Sequence, residues 1–198
     1  MTGRFTYLLT SLPPLSRDRP APLDRESFLE QAGRHLPGQE RAGLAAIRLW
    51  SPDGPVTPWR AERLWLRFEL DLRHALASAR ARLQERESLV RPVDALLADA
   101  PLARSAVTSA VEESDPLRAE RTLFEARWRF LEERDRESFH ARDNIVIYLL
   151  KRDLLAEWHD RSAERGRNAL ANLRRVAATE WPGDEFATPD ETFEHAST

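Results

Sequence analysis

Apolar residues along this chain recur mostly at intervals of three and four, the period of a helix with a buried face, and capping residues, Pro and Gly cut the pattern into segments. Residues 4–12 are apolar but too few to separate a short helix from an extended segment, and Pro13-Pro14 ends them. A polar, Pro-rich connection runs to Pro22. Asp24 then reads as an N-cap, with Leu23 and Phe28 in the two hydrophobic-staple positions around it. Phe28, Leu29, Ala32 and Leu36 share one face, and Pro37-Gly38 closes the helix. A helix over about 39–50 places Leu44 and Ile47 inward, and Ser51-Pro52-Asp53-Gly54-Pro55 is a turn.

Thr57-Pro58 predicts the start of the longest element, which runs unbroken to about Ser88, roughly 45 Å at 1.5 Å per residue. Leu64, Trp65, Phe68, Leu72, Leu76, Ala79 and Leu83 form one stripe along it. Trp59, Leu66, Leu70 and Ala77 form a second stripe on the opposite side. A helix with two apolar faces either lies between layers or shows its second face to a partner. Residues 91–113 read as two short helices broken near Pro101. Ser114-Asp115-Pro116 starts another helix that reaches about Glu137, and a further one spans about Asp143 to His159. A weaker helical pattern over 162–178 carries Leu170, Leu173 and Ala177. From Thr179 the chain turns acidic and loses helical period, which predicts a disordered tail.

Composition agrees with an all-α fold. The 198 residues include 28 Leu against 3 Ile and 7 Val, whereas strands favour β-branched residues. The expected architecture is an elongated helical bundle with one long central helix. Residues 1–178 form the helical domain, divisible into two subdomains at a break near 90–113, and residues 179–198 form the disordered acidic tail.

Charge and cysteine usage narrow the function classes. With 30 basic against 33 acidic residues, the net charge of −3 gives no electrostatic footprint for nucleic acid. The absence of cysteine excludes a thiolate nucleophile, a Cys-ligated metal and a disulfide scaffold. The longest apolar run, Ile145 to Leu150, is far shorter than a membrane span, and the N-terminus lacks a signal-peptide pattern. These features read as a soluble cytoplasmic protein.

No phosphate-binding Gly loop, nucleophile elbow or zinc-binding His pair occurs. His159-Asp160 has the form of a dyad used by helical metal phosphohydrolases, with His140 upstream and Asp184 or Asp190 as the distal acid. Chance and a favourable His position at a helix C-terminus account for it better. Neither a catalytic residue nor a cofactor is expected. Glu69 to Arg73, Glu125 to Arg129 and Glu132 to Arg136 have the i,i+4 spacing of surface ion pairs. Glu120, Arg127 and Lys151, the chain's single lysine, instead fall inside apolar arcs. Such charges must reach solvent, pair internally or meet a partner. Glu120 and Arg127 are seven residues apart on one helix, so each is expected to meet a charge from a neighbouring helix, with Lys151 the candidate for Glu120.

Several blocks resemble an uncharacterised bacterial family encoded with V/A-type rotary ATPases. They are Tyr7-Leu8 with Ser11-Leu12-Pro13-Pro14-Leu15; Leu72-Arg73-His74-Ala75-Leu76; Asp115 to Glu120 continuing through Leu123, Ala126-Arg127-Trp128 and Phe130-Leu131-Glu132; and Tyr148 to Lys151 with Leu154-Leu155 and Trp158. The similarity runs from about residue 5 to residue 175. It implies a non-enzymatic helical protein that stands in for the C-type subunit of these ATPases (the d-type subunit in eukaryotic nomenclature), which couples the central stalk to the membrane rotor ring. On that reading its partners are the central-stalk subunits and the rotor ring, and it sits in the cytoplasm, peripheral to the inner membrane. An adaptor or assembly factor for the same ATPase is the alternative. The chain is much shorter than a standard C-type subunit, and His74 stands where the family pattern has Asn. Trp59, Leu66, Leu70, Arg73 and Arg127 are the candidate partner contacts.

Overall fold

The structure, a computed structural model, describes residues 2–83, 100–138 and 140–160. Expectations for 84–99, for the weak helix over 162–178 and for the acidic tail lie outside the described residues. The chain divides into Met1–His159 and Asp160–Thr198, and every helix described below belongs to the first unit.

Among the described residues there are seven helices and no strand: α1 (Thr2–Ser11), α2 (Arg25–Gly33), α3 (Gly38–Ala46), α4 (Arg60–Leu83), α5 (Ala100–Glu112), α6 (Pro116–Glu137) and α7 (Ala141–His159). The ambiguous segment 4–12 is helical because Phe5, Leu8 and Leu12 fall on one face and are buried there, α1 lying against α7. Asp24 caps α2 as its spacing predicts, its carboxylate accepting the Ser27 N–H at 2.7 Å. Asp115 caps α6 in the same way, accepting the Leu117 N–H at 2.9 Å, with Pro116 in the first turn.

Pro101 sits in the first turn of α5, where a missing N–H costs nothing, and the short helix expected before it lies outside the described residues. The cap of α4 is more elaborate than Thr57-Pro58 suggests. The Thr57 hydroxyl accepts the Trp59 N–H at 3.2 Å and donates to Glu62. Glu62 in turn accepts the N–H groups of Val56 and Thr57, both at 2.9 Å. This reciprocal arrangement holds an extended lead-in, so regular helix starts at Arg60.

α7 occupies the middle, packed by α1, α2, α4 and α6. The long helix α4, with 24 residues against 22 in α6, was expected to be central; it packs chiefly on α5 and α7 instead. The sequence reason is visible in α7. Ile145, Val146, Ile147, Leu149, Leu150, Leu154 and Leu155 are all buried, leaving almost no polar face, as a helix surrounded by neighbours requires. Aromatic residues tie the layers together. Phe68 of α4 stacks on Phe130 of α6 with centroids 4.2 Å apart, and Trp65 lies 6.3 Å from both rings. The Trp65 indole N–H, buried with its ring, donates to the Leu49 carbonyl at 2.8 Å.

Candidate functional site

The most distinctive chemistry of this fold is its set of buried charges, each placed by a helix face that also supplies the core. On α4, Glu62, Glu69 and Asp71 are buried in phase with Trp65, Leu66, Phe68 and Leu72. Glu62 is consumed by the lead-in cap. Glu69 accepts from Arg127 of α6, whose Nε is 2.5 Å from Oε1 and whose Nη2 is 3.3 Å from Oε2. Arg73, one turn on, brings its Nε within 3.4 Å of Glu69 Oε2 and stacks over Trp50, 4.2 Å from the ring centroid. Burial works to lower the Arg127 pKa, but the Glu69 carboxylate and its hydrogen bonds, with Glu120 and Glu157 farther off, outweigh it and hold the guanidinium above its ordinary value.

A second network locks α2 and α3 to α7. Arg25 donates to Asp153 and also to the carbonyls of Ala45 and Ile47, the latter at 2.5 Å. Arg152 donates to the same Asp153 and to the Leu23 carbonyl at 3.1 Å. Desolvation dominates at both ends of the Arg25–Asp153 pair, raising the Asp153 pKa and lowering that of Arg25. Asp143, in the first turn of α7, accepts the Ala61 N–H at 3.2 Å and so joins the start of α7 to the start of α4.

The expected contacts sort as follows. Arg127 meets a charge from a neighbouring helix, as its position implied. Lys151 does not pair with Glu120: its Nζ lies 2.8 Å from Asp135 Oδ2 and 5.6 Å from the Trp128 ring centroid. Asp135 is closer because it sits on the last turns of α6, beside the middle of α7, whereas Glu120 is in the first turns and acts on Arg127. Of the proposed partner-facing residues, Trp59 and Leu66 are buried within the fold, and Arg127 is largely so. Leu70, at 45% exposure, and Arg73 remain on the surface. The expected Glu125–Arg129 pair is re-registered: Glu125 meets Arg121 at 3.2 Å and Arg129 meets Glu133 at 2.9 Å, while Glu132–Arg136 is present at 3.8 Å.

His140 and His159 flank opposite ends of α7, roughly 28 Å apart at 1.5 Å per residue, so one metal cannot bind both. Among the described residues no group of three or more His, Asp or Glu is placed to hold a metal ion. No helix among them is long and apolar enough to cross a membrane. Glu69, Asp135 and Asp153 are the residues that sequence reasoning underrated. For Glu69 a signal existed, since it falls on the face bearing Leu66 and Leu72. Comparison with protein-family models, with curated proteins and with solved structures finds no match.

Proposed function

We propose that this chain is a non-enzymatic component of a V/A-type rotary ATPase, resembling its C-type (eukaryotic d-type) subunit and linking the central stalk to the membrane rotor ring from the cytoplasmic side. The observation that carries the reading is how the blocks behind the resemblance interlock. Tyr148, in the last block, donates its hydroxyl to the carbonyl of Pro13, in the first, at 2.9 Å. Arg127, in the third block, reaches Glu69, which is itself bound by Arg73 of the second. Residues quoted for their likeness to one family therefore hold one another in place. A part that transmits force by contact needs cross-linked helices of this kind more than it needs a reactive group. Leu70 and Arg73, on the exposed side of α4, are the residues this reading offers to a partner.

The test is an affinity tag on this chain, expressed in its own cell. Recovery of ATPase subunits in near-equal amounts supports the stalk role. Recovery of ATPase subunits only in trace, assembly-stage amounts favours the adaptor or assembly factor. Recovery without any ATPase component removes both.

A further inference from the structure

We propose that the cleft between the N-terminal ends of α4 and α7 binds a small soluble anion bearing phosphate groups; the site does not depend on the stalk role argued above. The cleft has a volume of about 450 Å³, within the range of small-molecule sites, and is lined by Phe5, Trp59, Arg60, Arg63, His140 and Arg142. Three guanidiniums and an imidazole thus face one opening. The single carboxylate among the described residues of its wall, Asp143, is already committed to the Ala61 N–H.

Arg142 is held in place. Its guanidinium carbon lies 5.3 Å from the Phe5 ring centroid and 5.9 Å from that of Trp59, and Glu40 takes one Nη at 2.6 Å. Arg60 and Arg63 are exposed, lie three residues apart on one face of α4, and have no carboxylate partner among the described residues. That contrasts with α6, where Arg121, Arg129 and Arg136 each meet a glutamate one turn away.

The placement is unfavourable for the chain alone. Cations in the first turn of a helix oppose its dipole, and here the first turns of two helices bring theirs to one opening. Local conflicts of this sort concentrate where a ligand resolves them. The ligand that resolves it is a multiply charged anion, and guanidinium forks match phosphate oxygens two at a time. The aromatic wall, Phe5 and Trp59, is itself nearly buried, so it supports the Arg142 cation and adds little contact of its own.

The experiment is calorimetric titration of the full chain with inorganic pyrophosphate at fixed ionic strength. Saturable one-to-one binding is expected, weakened at least about tenfold in Arg60→Gln/Arg63→Gln. The comparison variant Arg129→Gln/Arg136→Gln removes the same charge from α6 and should bind like the parent. All four residues are on the surface, so both variants fold, and their melting temperatures without ligand verify it. Absence of saturable binding, or equal weakening in both variants, overturns the proposal. Sedimentation with phosphatidylglycerol vesicles without pyrophosphate binding overturns it too, since the cations would then serve a membrane surface.

Discussion

Arg127 of α6 closes a two-point ion pair on Glu69 of α4 across the aromatic layer of the fold, with Nε 2.5 Å from Oε1 and side-chain exposures of only 17% and 3%. The pair adds a charged contact to the register that the Phe68–Phe130 stack sets between the two helices. Removing Glu69 leaves the Arg127 guanidinium buried without its hydrogen-bonded carboxylate, whereas removing Arg127 leaves Glu69 with Arg73 alone. Glu69→Leu alone should therefore cost about 3–5 kcal/mol and Arg127→Met less, because Arg73 still meets the carboxylate, while the double variant should cost less than the sum of the two. Urea unfolding of the four proteins measures the coupling. Additive effects would mean that the two side chains do not interact.

Lys151 should behave differently. Its partner Asp135 is 40% exposed and can return to water when the lysine is lost. Lys151→Met should thus cost less than either change at the Glu69–Arg127 pair, about 1 kcal/mol. A cycle on Glu120→Leu and Lys151→Met should be additive, because Lys151 is engaged with Asp135 and Trp128. A coupling well above about 0.5 kcal/mol would contradict this arrangement.

These pairs mark the limit of what the sequence discloses. The starts of α2 and α6 are legible because a cap is local: Asp24 and Asp115 bind N–H groups three and two residues on. The all-helical class follows from the same short-range period. Partner choice between helices is not local. Glu69 and Arg127 are 58 residues apart, and their meeting depends on the Phe68–Phe130 contact that sets the register of α4 on α6. Likewise Glu62 reads as an ordinary first-turn acid until the lead-in folds back on it. The cleft formed by Arg60, His140 and Arg142 has no sequence signature, because two distant helix starts supply it. The place of α7 at the centre was partly visible, in the run from Ile145 to Leu150.

Tyr148 links α7 to the segment after α1, and burial pushes its phenol from the ordinary value of 10.0 up to about 12, against a smaller opposing effect of Arg152. The folded protein then holds the phenolic proton where the unfolded chain has released it. Stability should fall as pH rises from about 10 to about 12 by way of this group. Absorbance titration of the parent minus Tyr148→Phe isolates the transition, since Tyr7 is the only other tyrosine. Ionisation of Tyr148 at the ordinary phenol value would contradict the burial of its phenol.

Leu70 is exposed beside the buried Glu69 and makes a clean test of the partner face. Leu70→Glu should change unfolding free energy by no more than about 0.5 kcal/mol, as surface changes do. It should nevertheless reduce co-purification of ATPase subunits several-fold. Full retention of those subunits with an unchanged fold would move the partner face off α4.

A working part of the rotary ATPase must be present in the assembled enzyme. The most direct test is native mass spectrometry of the intact ATPase, purified through one of the enzyme's own subunits from cells expressing this chain at its natural level. A single dominant assembly that contains the 22.8 kDa chain in fixed stoichiometry is the predicted result. An intact, active ATPase whose mass leaves no room for the chain would contradict the proposed role.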